Sequence, residues 1–179
     1  MNLLINFSIF HLGWLACVMG AANNLVAEGC IAAVALIAVH LYRAKLRRNE
    51  LALIVIVALT GLIWESALLS QGWFAYAGPS PLSILAPFWL LMIWALFATT
   101  INGSLAWMKG RLLLSMVMGA VFGPLAFVAG EKLGAIVFTD RPSGLLALTL
   151  GWAVLMPLVM WIADRINRDP EHEEALSNA

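Results

Sequence analysis

Charge is what this chain has least of. Only 11% of its 179 residues are Asp, Glu, Lys or Arg, against roughly 25% in a soluble domain. So few charges cannot coat a water-facing surface, which excludes a soluble globular protein. The ten basic and ten acidic residues cancel to a net charge of zero, so nothing points to a nucleic-acid partner. Cysteine is nearly lacking too. Cys17 and Cys30 sit in apolar runs without CxxC spacing and read as small packing residues. There are no histidine boxes of the desaturase kind, no aspartate-rich DxxxD pair, no P-loop, no GxSxG elbow, no HExxH and no GxGxxG. Cofactor-dependent enzyme classes therefore fit poorly, and neither a cofactor nor a metal is expected. His11 and His40 fall at different depths, and His172 lies in the polar tail. His11, with Trp14 three residues on and so on its face, reads as hydrogen-bonded packing.

What the chain has in abundance is apolar length. Hydrophobic residues make up 63% of it, and its mean hydropathy is +0.92. A membrane helix needs about 20 mostly apolar residues. The runs predict an all-α polytopic membrane protein: six transmembrane helices in one bundle, with spans over 3–22, 24–42, 50–70, 84–107, 112–130 and 143–163. Residues 1–165 form that single domain, and 166–179 form a polar tail. The N-terminus lacks a basic region, and its apolar run continues past Cys17, so the first span is expected to stay uncleaved.

Eight of the ten basic residues (Arg43, Lys45, Arg47, Arg48, Lys109, Arg111, Arg165 and Arg168) fall in segments assigned to one side. Lys132 and Arg141 fall on the other. By the positive-inside rule both termini are expected in the cytoplasm. Gly119 and Gly123 form a GxxxG pair in the fifth span, followed directly by Pro124. Such a pair lets two backbones approach closely, within the bundle or in a homo-oligomer. Pro124 and Pro157 are expected to bend their helices.

One stretch stands apart from the scaffold: GLIWESALLSQGWFAYAGPSPLSILAPFWLLMIW, residues 61–94. It carries Glu65 on an apolar helix, then an aromatic turn rich in Gly and Pro, then Trp89 and Trp94. An ionisable residue within a membrane span marks a functional site by default. Glu28 falls at a similar depth, roughly 6–8 Å inside the outer boundary at 1.5 Å per residue. Asn23, Asn24, Gln71 and Glu131 fall near the same level, and Trp64, Trp73, Tyr76 and Trp89 supply a rim of amphipathic rings. These residues, with Trp94, are the expected substrate-binding set, and Glu65 aided by Glu28 is the expected catalytic pair. A carboxyl out of water with no cation beside it is expected to keep its proton and be able to donate it. The competing reading of Glu65 is a structural carboxyl bonded to a neighbouring helix. Glu131 is expected to pair with Lys132 or Arg141.

The blocks NFSIFHLGWLACVMGAAN, GLIWESALLSQGWFAYAG, APFWLLMIWALFATTINGSLAWM and GAVFGPLAFVAGEKLGA resemble a family of small proteobacterial inner-membrane proteins known only as domain of unknown function 2878. The resemblance covers all six spans and leaves out the tail. It implies a six-helix inner-membrane fold, supplies no activity, and suggests membrane lipids and a lipid-modifying enzyme as partners. A looser likeness, carried by Glu65, Gly72, Tyr76 and Pro87-Phe88-Trp89, is to carotenoid-modifying membrane enzymes. Three functions follow as expectations: a binding or assembly partner in lipid or isoprenoid metabolism, a cofactor-independent enzyme with Glu65 as general acid, and a small-solute transporter. A transporter is the least supported, because no inverted repeat is visible.

Overall fold

The computed structural model describes residues 3–80, 82 and 84–167. It is mainly helical: α1 (Leu3–Ala22), α2 (Val26–Arg43), α3 (Arg47–Ser70), α4 (Phe88–Ile101), α5 (Leu112–Lys132) and α6 (Arg141–Asn167), with strands β1 (Phe74–Tyr76) and β2 (Ile136–Phe138) between helices. Five of the helices, all but α4, are long and apolar enough to cross a membrane. Asn23 and Asn24 divide α1 from α2, and Asn24 takes the left-handed conformation (φ 60°) that Asn tolerates in a tight turn. Pro124 and Pro157 lie inside α5 and α6 without ending either helix.

Helix α4 is the centre of the bundle and packs on α1, α2, α3 and α6. Its 14 residues are far fewer than the span expected over 84–107. Pro87 sets the start: the residue before a proline is pushed out of the helical region, and the Ala86 N–H donates instead to Ser66 Oγ on α3 (3.0 Å). At the far end Asn102 and Gly103 turn the chain away. Asn6, buried on α1, takes over there. Its Nδ2 donates to the Thr99 carbonyl (2.9 Å), and its Oδ1 accepts the Ser104 N–H (2.8 Å). A non-helical backbone at membrane depth is tolerated where protein covers it and satisfies it.

The ribbon β1–β2 is a second departure from the all-helical expectation, which left both segments as loop or turn. The strands are antiparallel, with Phe74 opposite Phe138, Ala75 opposite Val137 and Tyr76 opposite Ile136. The Ala77 N–H to Ala135 and the Thr139 N–H to Trp73 extend the pairing by one residue pair at each end. FAY and IVF alternate in burial, with Phe74 and Ile136 inward and Ala75 and Val137 exposed. The ribbon ties the α3–α4 connection to the α5–α6 connection across one end of the bundle. The opposite end collects the C-terminus of α2, the N-terminus of α3 and the C-termini of α4 and α6, bridged by side chains.

Gly119 and Gly123 are used within the chain. A Cβ on Gly123 would fall 2.2 Å from Trp152 Cγ, and one on Gly119 2.2 Å from the Trp152 carbonyl. The GxxxG pair is thus the seat of α6 on α5. Helix α6 continues to Asn167, held by Lys109 to Asp164 (3.5 Å) and Asn167 to Asn102 (2.8 Å). The rest of the tail, with Arg168 and His172, lies outside the described residues.

Candidate functional site

The site begins with two residues one helical turn apart on α3. Gly61 and Glu65 share a face, and both are buried against α4. A Cβ on Gly61 would fall 2.1 Å from Trp94 Cγ, so the glycine is the slot in which the indole lies flat. Glu65 then meets the ring's only polar atom: Trp94 Nε1–H donates to Glu65 Oε1 (3.0 Å). Space and hydrogen bond are supplied by the same stretch of helix. Both side chains are almost fully buried, Glu65 at 1% exposure and Trp94 at 2%.

The second oxygen is met from the ribbon. Tyr76 O–H donates to Glu65 Oε2 (2.9 Å). Tyr76 is held over the carboxyl by its strand and by ring contacts with Phe74 (6.1 Å, parallel) and Trp89 (6.3 Å, edge-on). Trp89 Nε1–H in turn donates to the Ala77 carbonyl (2.8 Å) just past the strand. An indole N–H can only donate, whereas a phenol can donate or accept. Oε1 is therefore an acceptor throughout, while the Tyr76–Oε2 bond can run either way. The pair can carry or release a proton with no movement of heavy atoms. No cation is bonded to Glu65 among the described residues, because Arg141 pairs with Glu131 outside the ribbon.

Beneath this pair lies a cavity of about 80 Å³. Its walls are Phe10 and Trp14 of α1, Trp89, Trp94 and Phe97 of α4, Phe127 of α5, Ile136 of β2 and Trp152 of α6. Glu65 is the one ionisable group among the residues that line it. Trp94 and Trp152 stack at 4.9 Å, with Phe97 edge-on to both. Helices α1 and α5 both contribute wall but are not packed extensively on each other. Ala126, on the α5 side of that gap, is exposed. The cavity thus faces sideways, between two helices, toward the medium around the bundle.

Of the residues expected at the site, Glu65, Tyr76, Trp89 and Trp94 come together. Trp64 is near but turned to α6, where its ring covers Gly151, and its Nε1 is buried without a partner. Trp73 packs, partly buried, against the core cluster under the ribbon. Glu28 does not join. The packed stripe of α2 runs through Gly29, Ala33 and His40, which leaves Glu28 on the exposed stripe with Ile31 and Val39. Asn23, Asn24 and Gln71 are exposed as well, since each belongs to a turn or helix end at the rim. Glu131 meets Arg141 as expected and stands apart from the cavity. His11 bonds the Phe7 carbonyl one turn back (2.9 Å), and no group of three or more His, Cys, Asp or Glu able to hold a metal occurs among the described residues. Trp152, Phe97, Phe127, Phe10 and Trp14 were not among the expected site residues. A Trp far from the interfacial belt, such as Trp152 in mid-helix, was the available signal.

A sequence profile of the family described as Protein of unknown function (DUF2878) matches residues 3–158. The match takes in α1 to α5 and the greater part of α6. No curated protein and no solved structure matches the chain.

Proposed function

The chain belongs to that family of unknown function, and from this premise we propose that it is a six-span protein of the bacterial inner membrane, with both termini in the cytoplasm, that binds the apolar chain of a membrane lipid or isoprenoid. It would act as a binding or assembly partner of a lipid-modifying enzyme. The observation that carries this reading is the aromatic cavity, open to the side between α1 and α5 and lined by one ionisable group. A side entrance suits a ligand that arrives within the bilayer. At about 80 Å³ the cavity is well below the roughly 300–1,000 Å³ of a pocket that engulfs a whole small molecule, so it would take the end of a chain. A lipid carrying a photoreactive group at its chain end should label Phe127, Trp14 or Trp152, and Ala126→Phe at the mouth should suppress that labelling. Labelling confined to the outward faces of the helices would end the proposal.

A specific observation favours the catalytic reading as the alternative. Glu65 combines access to the cavity with a tyrosine able to exchange a proton with it, the equipment of a general acid beside a hydrocarbon whose cationic intermediates aromatic faces could stabilise. Lipid extracts of a deletion strain restored with wild type or with Glu65→Gln separate the two. Equal rescue supports a binding role, and rescue by wild type alone supports catalysis. Transport has less support, since the buried layer of Ala98, Ile101, Leu53, Val57 and Met108 fills the bundle between this cavity and its opposite end.

A further inference from the structure

A second polar centre occupies the opposite end of the bundle, where α2 turns into α3 through Ala44, Lys45 and Leu46. His40, in the last turns of α2, is 5% exposed. Its Nε2 meets Glu50 Oε2 (3.0 Å), and Glu50 Oε1 accepts from Asn102 Nδ2 (2.9 Å). Asn102 Oδ1 accepts from both Asn167 Nδ2 (2.8 Å) and the Lys109 ammonium. One buried polar atom in this chain of contacts has no partner, His40 Nδ1. A cavity of about 480 Å³ lies beside this centre, with Arg43 and Lys45 on its rim and His40, Glu50 and Asn102 in its wall. Arg43 and Lys45 have no acidic partner among the described residues. Helix α3 starts at the same place with no side-chain cap, so its first N–H groups and the positive end of its dipole are free to meet an anion.

We infer that this basin is a second ligand site and that it takes a phosphate ester. Glu50 would ordinarily repel an anion, but both its oxygens are engaged by His40 and Asn102, and Lys109 stands one contact behind. Arg43 supplies a planar fork suited to two phosphate oxygens, and Lys45 adds a point charge. The phosphate could belong to a lipid headgroup or to a soluble compound. This site is independent of the aromatic cavity and of the function read from it.

Native mass spectrometry of the full chain in detergent, offered phosphatidylglycerol or phosphatidylcholine, tests the lipid source. Calorimetric titration with inorganic phosphate and with glycerol 3-phosphate tests the soluble one. Binding in either arm supports the site and identifies its source, and binding in neither overturns it. The double variant Arg43→Gln with Lys45→Gln should weaken the binding about tenfold or more, as expected for loss of charged hydrogen bonds. Arg48→Gln with Arg111→Gln removes equal charge from the same end, outside the basin, and should leave binding within about twofold. Equal losses in the two double variants would reduce the effect to diffuse attraction and overturn the proposal.

Discussion

Glu65 and Glu28 look alike as letters in an apolar run, yet one is buried and bonded twice and the other is exposed. The difference lies in helical phase relative to packed neighbours. Glu65 follows Gly61 by one turn, on the face that receives Trp94, whereas Glu28 sits beside Gly29, just off the face that α1 covers. Position along the helix was legible in the sequence because hydropathy marks where each apolar run begins and ends. Rotation about the helix axis was not, because the apolar residues of a membrane helix ring it on all sides and leave no polar face to set the phase. Two expectations follow at this scale. Glu65→Gln keeps the size and an acceptor for Trp94, so its thermal midpoint in detergent should stay near wild type. Glu65→Ala orphans the Trp94 N–H and the Tyr76 O–H and opens a void, a loss on the order of 3 kcal/mol, and its midpoint should fall clearly. Gly61→Ala drives a methyl into the Trp94 ring and should cost about 1–3 kcal/mol. It should also blue- or red-shift the tryptophan emission as the indole leaves Glu65, and an unchanged spectrum would remove the slot assigned to Gly61.

Among the elements, the long helices were legible and the irregular ones were not. The starts and ends of α1, α2, α3, α5 and α6 fall within a few residues of the expected spans because loops and apolar runs alternate cleanly. Helix α4 misled because APFWLLMIWALFATTINGSLAWM is apolar well past the point where Asn102 is drawn sideways to Glu50 and Lys109. The ribbon was hidden by its length: three residues per strand cannot display a period, although Phe, Tyr, Val and Ile are strand-prone residues. Its importance is out of proportion to that length, since it carries Tyr76 to Glu65. Ala75 and Val137 stand directly opposite each other with exposed side chains, so cysteines there lie within disulfide range. The variant Ala75→Cys with Val137→Cys should form an intramolecular disulfide on oxidation, detectable as a mobility shift reversed by reductant. Failure to close that bridge while single-cysteine controls react with maleimide would show that the ribbon is not paired.

At the scale of the whole molecule, the ribbon bears on how many times the chain crosses the membrane. Strand β1 follows α3 and strand β2 follows α5, so exactly two helices, α4 and α5, separate the paired strands. Because the strands meet, those two helices must both cross or both fail to cross. Helix α5 has the length and apolarity to cross, so the 14-residue α4 is expected to cross with it. At about 1.5 Å per residue it spans only some 21 Å of a hydrocarbon core about 30 Å thick, and the remainder is made up by Asn6-capped turns at one end and the Pro87 connection at the other. The end of the bundle opposite the ribbon holds Arg43, Lys45, Arg47, Arg48, Lys109, Arg111 and Arg165, and the ribbon end holds Lys132 and Arg141. That asymmetry gives the proposed orientation its direction. An alkaline phosphatase reporter between Pro79 and Pro81 should be active, because that connection belongs to the ribbon end and should face the periplasm. A fluorescent protein fused after Ala179 should fold and fluoresce in the cytoplasm. The decisive result is the pair taken together. If the inserted reporter were inactive while the C-terminal one fluoresced, an even number of crossings would separate the two points, so α4, α5 and α6 could not all cross and the six-span reading would fail.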